Sequence, residues 1–190
     1  MTRYINLYTE ANPNPNSMKF VANVMLVPEG ITYDFPTAES AVESPLAQEL
    51  FTLPYTQRVF LMNNFVTVTK SDKHDWHDIV GNLKQNIKEY LEADKPILHT
   101  ETIANSLTIN ADEPEIDRKI KQILDEYVRP AVESDGGFIG FHSFHEGIVK
   151  VLLQGSCSGC PSSAITLKMG IENLLKRMIP EVQEVVAEGV

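Results

Sequence analysis

The residues of this chain best suited to bind a metal or to react with a disulfide are its only two cysteines, Cys157 and Cys160. The thiolate form of cysteine is the one that coordinates metals and attacks disulfides. Two thiolates are half of the four protein ligands that a structural zinc ion or an iron–sulfur cluster usually takes. The pair therefore indicates either a metal site that is completed from elsewhere or a redox-active dithiol.

The neighbouring residues predict how the two thiols are presented. Pro161 is typical of the first position of a helix, where its missing N–H costs no hydrogen bond, so Cys160 should lie at or near the N-cap. The positive end of a helix dipole lowers the pKa of a nearby thiol and favours the thiolate. Gly155 and Gly159 allow the backbone to bend tightly, so that both sulfurs can point the same way.

Histidine could supply the missing ligands, and His142 and His145 lie in the same part of the chain. Their spacing places them on opposite faces of a strand, so we expect solvated hairpin histidines rather than ligands. A two-fold dimer is the simpler solution, because each copy would present the same pair and four thiolates would meet at the interface. Such a site would be exposed and easily dismantled, which suits a carrier.

The overall charge limits the classes of partner. The chain has 16 basic and 26 acidic residues, a formal charge of −10, which argues against nucleic-acid binding through a basic surface. No apolar run approaches the roughly 20 residues that span a bilayer, so we expect no membrane partner. The first sixteen residues resemble neither a secretory signal nor an Arg-rich transit peptide, and a cytoplasmic location is therefore expected.

The pattern along the chain predicts an α+β fold made of two small domains. A polar segment at 93–112, rich in Asn, Thr, Asp and Pro, reads as a linker between domains at 1–92 and 113–190. We find no internal repeat. Each domain is long enough to bury a small core of its own.

The first domain is predicted to have the order β-β-α-β-β-α. Ser44 and Pro45 are typical of an N-cap and a first helical residue, and they should begin the first helix. Asn63 and Asn64 lie between two short β-rich runs, which indicates a hairpin. Apolar residues at three- and four-residue spacing around and after Trp76 predict the closing helix.

The second domain is predicted to have the order α-β-β-α, with the CxxC pair at the N-terminus of its last helix. The expected elements are a helix at 115–134, strands at 138–144 and 148–155, and a helix at 161–178. The Asp-Gly-Gly run at 135–137 is expected to stop the first helix rather than to act as a ligand.

The string "GSCSGCPSS" followed by "TLKMGIE" resembles the C-terminal domain of NifU-like (Nfu-type) iron–sulfur cluster scaffold proteins, and the likeness extends over about residues 113–186. The first domain resembles the N-terminal domain of that family through "NPNPNSMKF" and "SPLAQELF". The resemblance implies a protein that takes a [4Fe–4S] cluster from an upstream donor, holds it between two protomers and passes it to apo-proteins. Cys157 and Cys160 match the cluster ligands of the family, whereas Phe138 stands where the family usually has an acidic or polar residue.

Three alternatives remain open at this point. A thioredoxin-like dithiol redox protein also carries CxxC at a helix start, although its fold needs further strands and only about 30 residues follow Cys160. A zinc-linked dimeric interaction module would use the same four thiolates. A [2Fe–2S] cluster also fits four thiolates, and only the resemblance favours [4Fe–4S]. We predict no enzymatic activity, because no catalytic triad, phosphate-binding loop or pair of catalytic carboxylates stands out.

Overall fold

The computed structural model describes residues 4–99, 114–158 and 161–189. The chain forms two compact units, unit 1 (Met1–Thr108) and unit 2 (Ile109–Val190). Each unit combines helices with a sheet, so the predicted α+β class is confirmed. The boundaries of the predicted linker stay a prediction, since residues 100–113 lie outside the described ranges. Within those ranges, no helix has the length and apolar character needed to span a bilayer.

Unit 1 is built on a five-stranded antiparallel sheet. Its elements are β1 (Leu7–Ala11), β2 (Ser17–Ala22), β3 (Thr32–Phe35), a 3-10 helix (Glu39–Glu43), α1 (Pro45–Phe51), β4 (Thr56–Met62), β5 (Phe65–Lys70) and α2 (Trp76–Glu92). The strand order across the sheet is β1-β2-β5-β4-β3. The predicted elements are all present, and β3 is an additional strand that was not predicted from the sequence.

Local sequence signals explain the main turns of unit 1. The Ser44 side chain accepts a hydrogen bond from the Ala47 N–H at 3.1 Å, and Pro45 follows as the first helical residue, as predicted. Asn63 has a φ of 46°, a left-handed conformation that asparagine tolerates, at the turn of the β4–β5 hairpin. Apolar side chains on one face of the sheet, including Val59 and Val68, form a single core with Leu83 and other residues of the helices.

The segment that follows α2 packs back onto unit 1. Leu98 is buried in the core of this unit. Three hydrogen bonds anchor the segment: Tyr90 Oη to Pro96 O at 2.7 Å, Ser44 Oγ to Ile97 O at 2.7 Å, and His99 N to Glu43 O at 3.0 Å. Residues 96–99 are thus held by unit 1 through both apolar and polar contacts.

Unit 2 contains a three-stranded sheet of mixed direction. Its elements are α3 (Glu115–Ile123), a π-helical segment (Leu124–Val128), α4 (Arg129–Ser134), β6 (Gly137–His145), β7 (Ile148–Gly155), α5 (Pro161–Met178) and β8 (Glu184–Gly189). β6 pairs with β7 in antiparallel fashion, and β8 lies parallel to β7 on its other side. The predicted α-β-β-α order is present, and β8 is an additional strand that was not predicted from the sequence.

The helix predicted at 115–134 changes its winding before Pro130. Proline has no N–H with which to continue the α-helical ladder. In the turn before it, the Arg129 N–H bonds to the Leu124 carbonyl, five residues back, and this spacing defines the π-helical segment. The chain therefore passes Pro130 in helical conformation and ends α4 at Ser134.

Candidate functional site

Cys157 lies in the loop that leaves the carboxyl end of β7 and leads into α5. Its side chain is half-buried and packs against the edge of the unit 2 core. Cys160, the second predicted ligand, lies outside the described residues. The structure thus positions one of the two predicted ligands directly, and it confirms that a helix begins at Pro161.

Two serines on either side of Cys157 anchor this loop. Ser156 Oγ donates a hydrogen bond to the Asp135 carbonyl at 2.5 Å, and Ser158 Oγ donates one to the Leu153 carbonyl at 2.6 Å. Both serines are buried, with exposed fractions of 3% and 6%, whereas the cysteine between them reaches the surface in part. Since buried hydroxyls are costly to leave unbonded, these two contacts fix the backbone on both sides of the thiol.

Gly137 leaves the space that the Cys157 thiol occupies. The β6–β7 register pairs Gly137 with Gly155 at the end of the hairpin nearest the thiol. A Cβ atom on Gly137 would lie 2.9 Å from Cys157 Sγ and 2.8 Å from the Gln154 carbonyl oxygen, closer than real Cβ atoms approach such groups. Any residue other than glycine would therefore push against the thiol and against the backbone of β7.

The Asp-Gly-Gly run has two roles, of which only the helix stop was predicted from the sequence. It stops α4 as predicted, with Gly136 at a φ of 75°. It also forms the wall of the thiol loop, because Ser156 bonds to the Asp135 and Gly136 carbonyls as well as lying close to Gly137. A helix stop needs only one glycine. The second glycine, Gly137, was therefore a sequence signal from which a close contact could have been predicted.

The histidines are paired with carboxylates rather than with the thiol. His142 Nδ1 lies 3.7 Å from Glu188 Oε2, and His145 Nε2 lies 3.9 Å from Glu146 Oε1. Across the described residues, no group of three or more His, Cys, Asp and Glu side chains is arranged to hold a metal ion. Further ligands for a metal at Cys157 must therefore come from outside the described part of one chain.

Acidic and basic side chains join α5 to β8 on the surface of unit 2. Glu172 accepts hydrogen bonds from Lys176 Nζ at 2.5 Å and from the Val185 N–H at 3.1 Å. These two bonds hold the pKa of the Glu172 carboxyl below its usual value, the Lys176 bond contributing most. The polar face of α5 therefore fastens this helix to the closing strand.

Comparison with known proteins accounts for both units. The family model "NifU-like domain" matches residues 120–186, and "Scaffold protein Nfu/NifU N terminal" matches residues 7–94. The human "NFU1 iron-sulfur cluster scaffold homolog, mitochondrial" is 40% identical over 184 residues, which cover 96% of this chain and 72% of the human protein. This chain belongs to the Nfu scaffold family.

Other Nfu relatives extend beyond the region that they share with this chain. The Drosophila grimshawi protein with the same name is 41% identical over 94% of this chain, which spans only 60% of the fly protein. Among solved structures, the NifU-like protein of Saccharomyces cerevisiae matches with a TM-score of 0.43 and 22% identity, covering 50% of this chain and 86% of that one. The family assignment therefore rests on the sequence relatives.

The expected cytoplasmic location is contradicted by the Nfu relatives. The human and Drosophila grimshawi proteins are both named as mitochondrial. The expectation was wrong because it relied on the composition of sixteen residues, which does not determine the compartment.

Proposed function

We propose that this chain is an iron–sulfur cluster scaffold and carrier that holds a [4Fe–4S] cluster between two copies through Cys157 and Cys160, and delivers it to apo-proteins. The observation that carries the proposal is the CxxC pair in a chain of the Nfu family, whose relatives are named as iron–sulfur cluster scaffolds. The cluster is the cargo of the protein rather than a resident cofactor.

The ligand count supports sharing of the cargo between two copies. A four-iron cluster takes one thiolate per iron, and each chain has two cysteines in total, so two chains supply the four that are needed. The loop around Cys157 is fixed by the Ser156 and Ser158 hydrogen bonds, which would hold its thiolate ready without reorganisation. Cys157 is half-buried rather than enclosed, as a residue that exchanges its ligand with a competing thiol must be.

Delivery requires only ligand exchange and no net oxidation or reduction. A thiol of the apo-protein loses its proton and forms a new Fe–S bond, while the Fe–S bond to Cys157 or Cys160 breaks. The proton passes to the released thiolate, so charge and electrons balance. Repeated at each iron, this exchange moves the whole cluster, and a site with few ligands per chain favours it.

The proposal is tested by anaerobic reconstitution of the full chain with ferrous iron and sulfide. We expect about two irons and two sulfides per chain together with a monomer-to-dimer shift, as one shared four-iron cluster requires. Cys157→Ser and Cys160→Ser should each lose most of the bound iron without loss of fold. Val42→Ser, at a position that is 63% exposed in unit 1, is the control and should load normally.

Several outcomes would count against the proposal. One iron per chain with a dimer would indicate a [2Fe–2S] occupant instead. Full iron and sulfide in the Cys157→Ser variant would remove this thiol from the ligand set. A colourless dimer that holds one zinc ion between two copies, in preference to the cluster, would favour the structural zinc alternative.

A further inference from the structure

Unit 2 exposes a group of apolar and aromatic side chains on the helix that follows the thiol loop and on the helical segment beside it. Ile165 and Met169 on α5 are each 60% exposed, and Tyr127 in the π-helical segment is 53% exposed. A groove of about 340 Å³ runs between these two helical stretches, and its lining includes Thr166 and Gly170. We call this region the α5 surface and define it by six residues: Tyr127, Ala131, Ile165, Thr166, Met169 and Gly170.

The position of the α5 surface relates it to the cysteines. α5 begins at Pro161, the residue after Cys160. At 1.5 Å per residue, Ile165 and Met169 lie about 6 Å and 12 Å along the axis from that start. The last turn of α5 exposes Lys176 and Arg177 together with Met178, which is 40% exposed. Among the described side chains of α5, the two most exposed large apolar ones thus lie in the turns nearest the thiols.

We propose that the α5 surface is the contact through which a second copy of this chain docks when the two thiol loops share a cluster. The inference rests on the function proposed above and adds to it the surface that brings the copies together. Two loops that bind one cluster must bring the first turns of both α5 helices close to each other. The same patch then faces itself across a two-fold axis, as a symmetric dimer requires.

The charge distribution and the open space at the α5 surface favour binding of a second copy of the chain there. Each copy has a net charge of −10, so association needs a contact region in which like charges do not meet. The six residues of the α5 surface are uncharged. Two basic residues that neighbour them in sequence are paired within one copy, Lys168 with Glu184 at 3.7 Å and Arg129 with Asp125 at 2.6 Å. A Cβ atom on Gly170 would meet nothing within 4 Å, so the chain itself leaves open the space that a partner helix needs for close approach.

The test uses sedimentation velocity of the full chain before and after reconstitution with iron and sulfide. Met169→Glu and Gly170→Leu place a charge or a bulky side chain at the centre of the α5 surface. We expect each to weaken dimerisation of the loaded form at least tenfold in Kd and to lower iron retention on dilution, with unchanged far-UV circular dichroism. Neither residue is a proposed ligand, so the apo protein should be unaffected.

Two matched controls accompany these variants. Met178→Glu changes the same residue type on the same helix, at a position that is 40% exposed and about 14 Å further along the axis. Gly81→Leu changes an exposed glycine of α2 that also has nothing within 4 Å of an added Cβ. Both controls should load and dimerise as the unchanged chain does.

The outcomes separate this inference from the proposed function. If Met169→Glu and Gly170→Leu dimerise with unchanged Kd, the α5 surface is not the contact, although the shared cluster still stands. If both variants form normal loaded dimers and fail only in transfer to an apo-protein, the surface serves a client and the inference is overturned. If the unchanged chain takes up no cluster, the proposed function itself fails.

Discussion

Gly137→Ala should damage both the stability of unit 2 and its capacity for iron. The added Cβ would stand 2.8 Å from the Gln154 carbonyl oxygen, 2.9 Å from Cys157 Sγ and 3.1 Å from Ser156 Oγ. The thiol and the hydroxyl could rotate away, but the carbonyl belongs to the backbone of β7 and can yield only if the strands separate. The change thus acts on the end of the hairpin that carries the thiol loop.

The expected change in the free energy of unfolding is the sum of two opposing contributions. Forcing a methyl group into a closed contact costs about 1–3 kcal/mol. Replacing glycine by alanine within a strand stabilises the folded state by about 0.5–1 kcal/mol, because it lowers the conformational entropy of the unfolded chain. The difference between the middle values of the two ranges is a net loss of about 1 kcal/mol, which for a unit of 82 residues (109 to 190) corresponds to a fall in Tm of about 4–8 °C.

Calorimetry of the full chain, together with iron content after reconstitution, measures both effects. The single tryptophan, Trp76, lies in unit 1, so its fluorescence should report an unchanged unit 1. Gly140→Ala is the matched control in the same strand, because its added Cβ would meet only the Phe138 ring at 3.2 Å, a side chain that can move. Equal Tm and equal iron content in the two variants would refute the account of the Gly137 contact.

Two further predictions concern unit 1. Arg58→Ala should lower its free energy of unfolding by about 3–5 kcal/mol in urea denaturation, because it removes the cation and two hydrogen bonds, at 2.7 and 2.6 Å, from the Asp34 carboxylate, which is 1% exposed. Lys88→Ala removes only an exposed ion pair and should cost under about 1 kcal/mol, so similar losses in the two variants would contradict this reasoning. Burial, aided by the Glu49 charge, raises the pKa of Tyr90 to about 12, so its contribution to stability is complete below the unfolded pKa of about 10 and is lost as the pH rises to 12. The urea midpoint should therefore fall less steeply between pH 10 and pH 12 in Tyr90→Phe than in the unchanged chain. An identical pH dependence in the two proteins would show that Tyr90 is not the cause of the loss of stability.

Signals that are local in the sequence predicted most of the fold. Ser44 with Pro45 marked the start of α1, and Pro161 marked the start of α5. β3 escaped prediction because its alternation consists of only two apolar side chains, Tyr33 and Phe35, in a segment rich in turn residues. β8 escaped because it pairs with β7 across the whole of α5, and such a non-local parallel pairing leaves no turn signal in the sequence.

The chemistry of the candidate site could be predicted from the sequence, but the contacts that hold the Cys157 loop in place could not. The spacing of Cys157 and Cys160 is enough to suggest paired thiolate ligands. The contact between Gly137 and the Cys157 thiol depends on the register of the β6–β7 hairpin, which the sequence pattern does not determine to a single residue. The same holds for the hydrogen bond between Ser156 and Asp135, which joins residues 21 positions apart.

The parallel pairing of β8 with β7 has a consequence for the order of events during synthesis. β7 is the central strand of its sheet, and its β8 edge stays unpaired until Glu184–Gly189 have left the ribosome. The thiol loop joins β7 to α5, and both of these elements are held by β8, so the loop should reach its final geometry only after translation of that strand. Nascent chains would then present the cysteines in an unstructured state for some time. Under the proposed function, a cluster should therefore be acquired only after β8 has been translated.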